Sequence, residues 1–533
     1  MRPVFTILVG VICTMLSASP AAASCGDGVV DVGEDCDDGS TQNGGMNSCC
    51  TSACTFSGKS PDVIVGDIVG TTRWGATGGI TAFSVGTTSC NLGSCWLNWI
   101  SGTAEHPVIG QNMFRLKDGR FEQIGQSWLK HGFQALAQSV CATCVPPPNG
   151  SHLGVNCSDP YTKTLNGSQT QLGPKENVDP STGVFLYPDP RESTTGDAIF
   201  KRLQVHNTDL DPALNAGALY FVEGQYVTHD DAIANNNPNN ASYRGIDVAG
   251  TSPTFFISLT GTTVREKAGI QAWMATDPSV TETVIDAPGG EFIASARATS
   301  LGGGIYHYEY AVQNLTNARA GQAFTVPIPP GTVVTNVGFH DVDYHSGEVF
   351  DGTDWTSTVS ASSVSWATTT YAVNPNANAL RWGTLYNFRF DANQAPGTAS
   401  VVIALFKPGS PASVSYDTVT PVTCGGAPGE VNDGVRVSHS PGISTITWQQ
   451  AAGSTGSDVL RGLVSGLPVG PDGGDEVCLE NGIAGTSTTD TADPDPGEAF
   501  WYLVQGTNTC GAGPWGVQVQ DGVPSPRVSA TCP

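Results

Sequence analysis

Cys141, Cys144, His152 and Cys157 stand in the spacing Cys-x2-Cys-x7-His-x4-Cys. Three thiolates and one imidazole are a ligand set that tetrahedral Zn2+ accepts. In an exported chain the same cysteines oxidise instead, and disulfides are the preferred reading here. His340, Asp341, Asp343 and His345 form a second candidate, of types that suit Zn2+ or Cu2+. They follow a strand, where loops often carry function. Residues five apart on a strand point to opposite faces, so a turn must bring the two imidazoles together. The competing reading is a solvated loop with one capped histidine. Asp27, Asp31, Asp37 and Asp38 are a third candidate, because Ca2+ takes carboxylates spaced through glycine-rich turns. The spacing and terminal glutamate of an EF-hand are missing, and the same aspartates can simply form turns. His106, His131, His152, His206 and His229 are scattered through the following region. No His-Glu-x-x-His, Gly-x-Ser-x-Gly or phosphate-binding glycine loop occurs. No catalytic residue is assigned.

What positions these residues is a chain built for export. Arg2, an apolar run from Val4 to Leu16, Pro20 and Ala21-Ala22-Ala23 read as a secretory leader over 1–23. Cys25 raises the lipoprotein alternative. The cysteine count opposes it: of 15 cysteines Cys13 leaves with the leader, and an even number remains. Lipidation of Cys25 would strand one thiol. No later run is long enough to span a membrane.

About 510 residues remain, enough for three or four domains. Glycine (65) and proline (35) are abundant and only 13% of residues are charged. That is the composition of short strands joined by turns. The expected fold is mostly β, with serial β-sandwich domains preceded by a small disulfide-rich module. The net charge of −25 argues against nucleic acid, which needs clustered Lys and Arg.

Along the chain the expected units are a cysteine-rich module at 24–60, a β-rich central domain with long loops at 61–289, a β-sandwich at 290–418 and a last sandwich at 419–533. Met113–Lys117, Asp118-Gly119 and Arg120–Ile124 predict a hairpin. Trp128, Leu129, Phe133, Leu136 and Val140 predict a short helix. Tyr306, Tyr308 and Tyr310 share one face of a strand, with His307 and Glu309 on the other.

Cys25-Gly26-Asp27-Gly28, Gly33-Glu34, Cys36-Asp37-Asp38-Gly39 and Cys50-Thr51-Ser52-Ala53-Cys54 resemble the Myxococcus-type cysteine-rich repeat of secreted bacterial proteins. The resemblance covers about 30 residues and departs by an extra Cys49. It implies a small module held by disulfides among Cys25, Cys36, Cys50 and Cys54, with no catalytic role. Five cysteines lie in the module and five in the region from Cys90 to Cys157, so one bridge between the two balances both. In the tail, Trp448 and Tyr502-Leu503-Val504 resemble the core residues of a fibronectin type III domain. Cys424, Cys478, Cys510 and Cys532 form a closed set there. Nested pairing, Cys424 with Cys532 and Cys478 with Cys510, is expected because the ends of a domain often lie close together.

The function expected from this is a secreted or cell-surface multidomain protein, non-catalytic, binding or structural. Its partner would be polysaccharide or surface matrix, stacked on Trp and Tyr. The alternative is a secreted metal-dependent hydrolase or oxidase with its site in 61–289, which holds Trp74, Trp96, Trp99 and Trp128, five His and five Cys.

Overall fold

Asp118 and Gly119 both adopt left-handed backbone, at φ 51° and 78°. Their turn joins the antiparallel strands Val108–Lys117 and Arg120–Gln126 as the sequence predicts. The computed structural model describes residues 24–532 except 28–30, 32, 424, 432–433, 471–473, 509 and 521. The leader read at 1–23 lies outside the described residues.

This hairpin sits in the middle of the first large sheet. Its strands run in the order Val63–Thr77, Ile80–Asn91, Leu203–His206, Arg120–Gln126, Val108–Lys117, Leu219–Val227, Ala241–Thr251 and Thr254–Leu259, all antiparallel. The sheet rolls until its two ends meet. Thr71 Oγ1 donates to Ile257 O at 2.8 Å, and Ser242 Oγ donates to Val65 O at 2.7 Å. Arg244 and Arg265 bond the backbone oxygens of Ile68 and Gly66. An open edge offers unpaired backbone groups to other chains. Here side chains from the far end answer them. The enclosed core includes Trp99, Met113, Tyr161 and Tyr226.

The helix expected from Trp128 to Val140 does not form. Leu129–His131 is a short strand, and Phe133, Leu136 and Val140 are exposed. The N–H groups that would have closed helical turns are taken elsewhere. Phe133 N donates to Tyr161 Oη, Leu136 N to an Asp159 carboxylate and Val140 N to Ser158 Oγ. Tertiary partners outweigh a marginal local periodicity already weakened by Gly132.

A β-sandwich follows, with strands from Thr281 to Pro421. One sheet orders Thr281–Ala287, Gly290–Gly302, Ile305–Asn314, Thr384–Ala392 and Val334–His340. The other orders Thr356–Val359, Ser363–Ala367, Gly321–Pro327, Pro396–Leu405 and Ser413–Pro421. Tyr308 and Tyr310 point into the core with Phe324, Trp366, Phe388 and Phe390. Phe324 and Phe388 stack at 4.5 Å. Phe114, Phe121 and Trp273 of the first unit share a second apolar cluster with Ile293, Ala311 and Leu385 of the sandwich. The two units therefore bury a joint surface.

Disulfides join Cys25 to Cys54 and Cys36 to Cys50 within the N-terminal module. Cys49–Cys95 is the expected bridge from the module to the first sheet. In the tail, sheets containing Ile443–Thr447, Gly456–Leu463 and Phe500–Asn508 enclose Ile446, Trp448, Val459 and Val504. The nested pairing expected there is corrected: Cys478 is bonded to Cys532. The C-terminal segment docks on the strand Val477–Ile483, with Ser529 and Thr531 hydroxyls on the Glu476 carboxylate. That docking brings Cys532 to Cys478. Cys510 has no disulfide partner among the described residues, and Cys424 lies outside them.

Candidate functional site

Where the strand Leu203–His206 ends, a cleft of about 260 Å³ opens between the rolled sheet and the sandwich. Two parts of the chain supply its walls. His206 and Asp209 come from the first unit, His340 ends the strand Val334–His340, and Asp341 and Asp343 come from the loop after it. That loop is tied down onto the first unit. Gln126 Nε2 donates to Asp343 O at 2.8 Å, Trp128 Nε1 to His345 O at 3.3 Å and Lys201 N to Ser346 Oγ at 2.7 Å.

Each imidazole has a separate task. His206 Nε2 lies 2.7 Å from Asp343 Oδ2 at the exposed mouth. The hydrogen bond to Asp343 raises the His206 pKa, and the same bond lowers that of Asp343. His340 Nε2–H donates to Gln123 O at 3.2 Å, and His345 Nε2–H donates to Gln126 O at 2.8 Å. Burial pulls the His345 pKa down to about 4, so this ring is neutral and accepts from Ser346 Oγ through Nδ1. Burial pushes Asp341 up to about 6 although Asn378 donates to it. The loop does turn as the metal reading requires, but His340 and His345 spend Nε2 on carbonyls of different residues. Among the described residues, no three of His206, His340, Asp341, Asp343 and His345 bring ligand atoms within 4.8 Å of one another. The cleft presents carboxylates and the Asp343-bound imidazole of His206 on fixed walls, a set that hydrogen-bonds hydroxyl groups.

The other sequence candidates are placed as follows. Cys144 is bonded to Cys157 and Cys141 to Cys90, which removes the three thiolates of the zinc pattern. His152 stands apart from them, its Nε2 4.0 Å from Asp38 Oδ1 and its ring beside Trp96. Asp37 is buried and accepts from Gly26 N, Gly39 N and Asn43 Nδ2. Asp38 accepts from Ser48 Oγ, and Asp31 from Ser24 N at 3.2 Å. Asp27 is exposed. Of the scattered histidines only His106 and His131 meet, at 2.9 Å, sealed among Phe185 and Tyr187. Burial lowers both, to about 4 and about 3, so the pair is neutral.

A cluster that the sequence did not reveal lies beneath the cleft. Lys175, Asn112, Gln126 and Glu223 are all buried. Lys175 Nζ donates to Gln126 Oε1 at 2.9 Å, to Gly383 O at 3.2 Å and to Asn112 Oδ1 at 3.4 Å. Asn112 Nδ2 donates to Glu223 Oε1 at 2.7 Å. The chain separations are long, and an isolated Lys or Glu reads as a surface residue. The one local hint was Glu223 and Gln225 within the apolar strand Leu219–Val227.

Among the described residues no helix is long and apolar enough to cross a membrane. No family model matches the chain, and no curated protein matches it. Three solved structures show remote similarity. A serine-rich repeat adhesion glycoprotein of Streptococcus agalactiae is 8% identical, over 68% of this chain and 98% of that one, at TM-score 0.18. The full-length major pilin of Streptococcus pneumoniae is 10% identical, over 78% and 56%, at TM-score 0.16. The BSP domain of a biofilm-associated protein is 9% identical, over 88% and 68%, at TM-score 0.10. Likeness at this level does not bear on what the chain does.

Proposed function

We propose that this chain is an exported, surface-associated binding and structural protein that holds a neutral polysaccharide or matrix glycan at the junction cleft. One observation carries the reading. The cleft lies on a seam whose two sides are bolted together by buried contacts, so its polar groups are held in place before any ligand arrives. Preorganisation of this kind lowers the entropy cost of binding. Gln123 bridges the seam to Gly383 and Leu385, Asn387 Nδ2 donates to Phe121 O at 2.8 Å, and Gln225 Nε2 donates to Leu315 O at 2.8 Å. Asp341, Asp343 and Asp209 accept from sugar hydroxyls, and His206 donates. The acidic walls and net charge of −25 disfavour anionic ligands.

The leader, the Myxococcus-type module and the fibronectin-like tail enter this reading as the export signal, an N-terminal staple and a spacer. Calcium at the module's aspartates belongs to it as well. Two measurements test the proposal. Purified mature protein is incubated with insoluble polysaccharides and with extracellular matrix from the producing cells, beside His206→Ala and Asp343→Ala variants. Retention that falls roughly tenfold or more in the variants supports the cleft, as expected for losing a charge-assisted bond. Equal retention of all three, or none, overturns it. Protease shaving of intact cells should release the protein; protection from protease would contradict surface exposure.

A further inference from the structure

Lys175, Asn112 and Glu223 form a continuous chain of reactive groups in the water-poor seam. Asn112 and Glu223 face each other across the paired strands Val108–Lys117 and Leu219–Val227. Their side chains meet at 2.7 Å. Lys175 enters from the turn Lys175–Asn177 and brings its amine to 3.4 Å from the Asn112 carbonyl oxygen. The three residues are 4%, 2% and 0% exposed. An amine held beside a carboxamide, with a carboxyl group on the leaving nitrogen, is the arrangement that aminolysis of an amide needs.

We propose that Lys175 and Asn112 are joined by an intramolecular amide bond, formed after folding with Glu223 as the acid–base group. The Lys175 ammonium first gives a proton to Glu223. The neutral amine then attacks Asn112 Cγ, forming a C–N bond as the carbonyl pair moves onto Oδ1. Glu223 delivers its proton to Nδ2, the C–Nδ2 bond breaks and ammonia departs as the carbonyl reforms. The protonated new amide returns a proton to Glu223, which passes it to the ammonia. One amide replaces another, one ammonium ion is released, and nothing is oxidised or reduced. The seam favours the first transfer, since burial lowers Lys175 to about 8 and raises Glu223.

Gln126 is the competing acceptor, since its Oε1 lies closer to the Lys175 amine. Its own Nε2 is directed to Asp343 O, whereas the Asn112 nitrogen rests on the Glu223 carboxylate that must protonate the leaving group. Asn112 is therefore the acceptor named. The bond would tie the central strands covalently to the turn Lys175–Asn177. It stands independently of what the cleft binds.

Intact mass spectrometry of the mature, reduced and denatured protein tests this. The expected mass is lower than the sequence mass by one ammonia. Digestion should yield one branched peptide containing Lys175 and Asn112. Lys175→Arg and Glu223→Gln should both return the full sequence mass, and Lys175→Arg should lose the branched peptide. A wild-type mass equal to the sequence, or a branched peptide containing Gln126 in place of Asn112, overturns the proposal. The wild-type mass decides the matter even where Glu223→Gln does not fold.

Discussion

Gln123 and Leu385 are bonded across the seam between the rolled sheet and the sandwich, Leu385 N donating to Gln123 Oε1 at 2.6 Å. The same amide donates from Nε2 to Gly383 O at 3.3 Å. One side chain thus satisfies two backbone groups of a neighbouring unit, in a place that water does not reach. Leu385 itself packs with Phe121 and Phe114. The apolar cluster supplies area, and Gln123 fixes register. Two β units in series become one stiff body by this means.

Gln123→Leu therefore leaves the buried Leu385 N–H without this acceptor, while Gly383 O keeps only its bond from Lys175 Nζ. The expected cost is roughly 1–3 kcal/mol per orphaned group. Urea unfolding followed by Trp fluorescence should show a lower midpoint, and a separate early transition for the sandwich. An unchanged curve would mean that the seam contributes nothing to stability.

His206 should titrate above an ordinary histidine because Asp343 stabilises its charged form. The sign follows from linkage. A raised histidine contributes stability that is complete below its unfolded pKa of about 6.5 and lost as pH rises through the folded value. The lowered Asp343 contributes above its unfolded pKa of about 3.9, and loses that as pH falls through the folded value. Both groups are well exposed, so the effect belongs to titration more than to stability. NMR titration of the His206 ring in Asp343→Asn should give a pKa near 6.5. A raised pKa in that variant would show that another group holds the charge.

The tail should contain two disulfides. With Cys478 bonded to Cys532, and with Cys13 removed in the proposed leader, an even count leaves Cys424 and Cys510 as partners. Asn508 draws the two segments together, donating to Gly426 O at 3.0 Å and accepting from Cys510 N at 2.7 Å. Peptide mapping without reduction should recover both bridges. Alkylation of Cys510 in the native protein would refute the second.

Asp37 should matter more to the N-terminal module than its neighbours. Asp37→Ala orphans the N–H groups of Gly26 and Gly39, removes the oxygen acceptor of Asn43 Nδ2, and should lower the module's stability by roughly 1–3 kcal/mol. Chelation decides the calcium proposal separately. If the ion is bound, removing it lowers the module's melting temperature by linkage. Melting that ignores the chelator rules the ion out.

Features that depend on neighbours along the chain were legible in the residues alone. Asp118-Gly119 specified its hairpin because both residues accept left-handed backbone. The alternation at Tyr306, Tyr308 and Tyr310 specified which face of a strand is core, because side chains alternate with period two. The five-and-five division of cysteines pointed to one bridge between the module and the following region, and the fold chose Cys95 as the partner of Cys49. Composition alone set the β class. Features that depend on distant partners emerged with the folded chain. The 128–140 segment lost its helix to hydrogen bonds from Tyr161, Asp159 and Ser158. Cys532 found Cys478 because the last residues dock at Glu476. His206 meets Asp343 across 137 residues, and Glu223 meets Asn112 across 111. No local pattern encodes such meetings. They arise when the sheets roll and close, and a charge or amide buried there is held by whatever group the far strand presents.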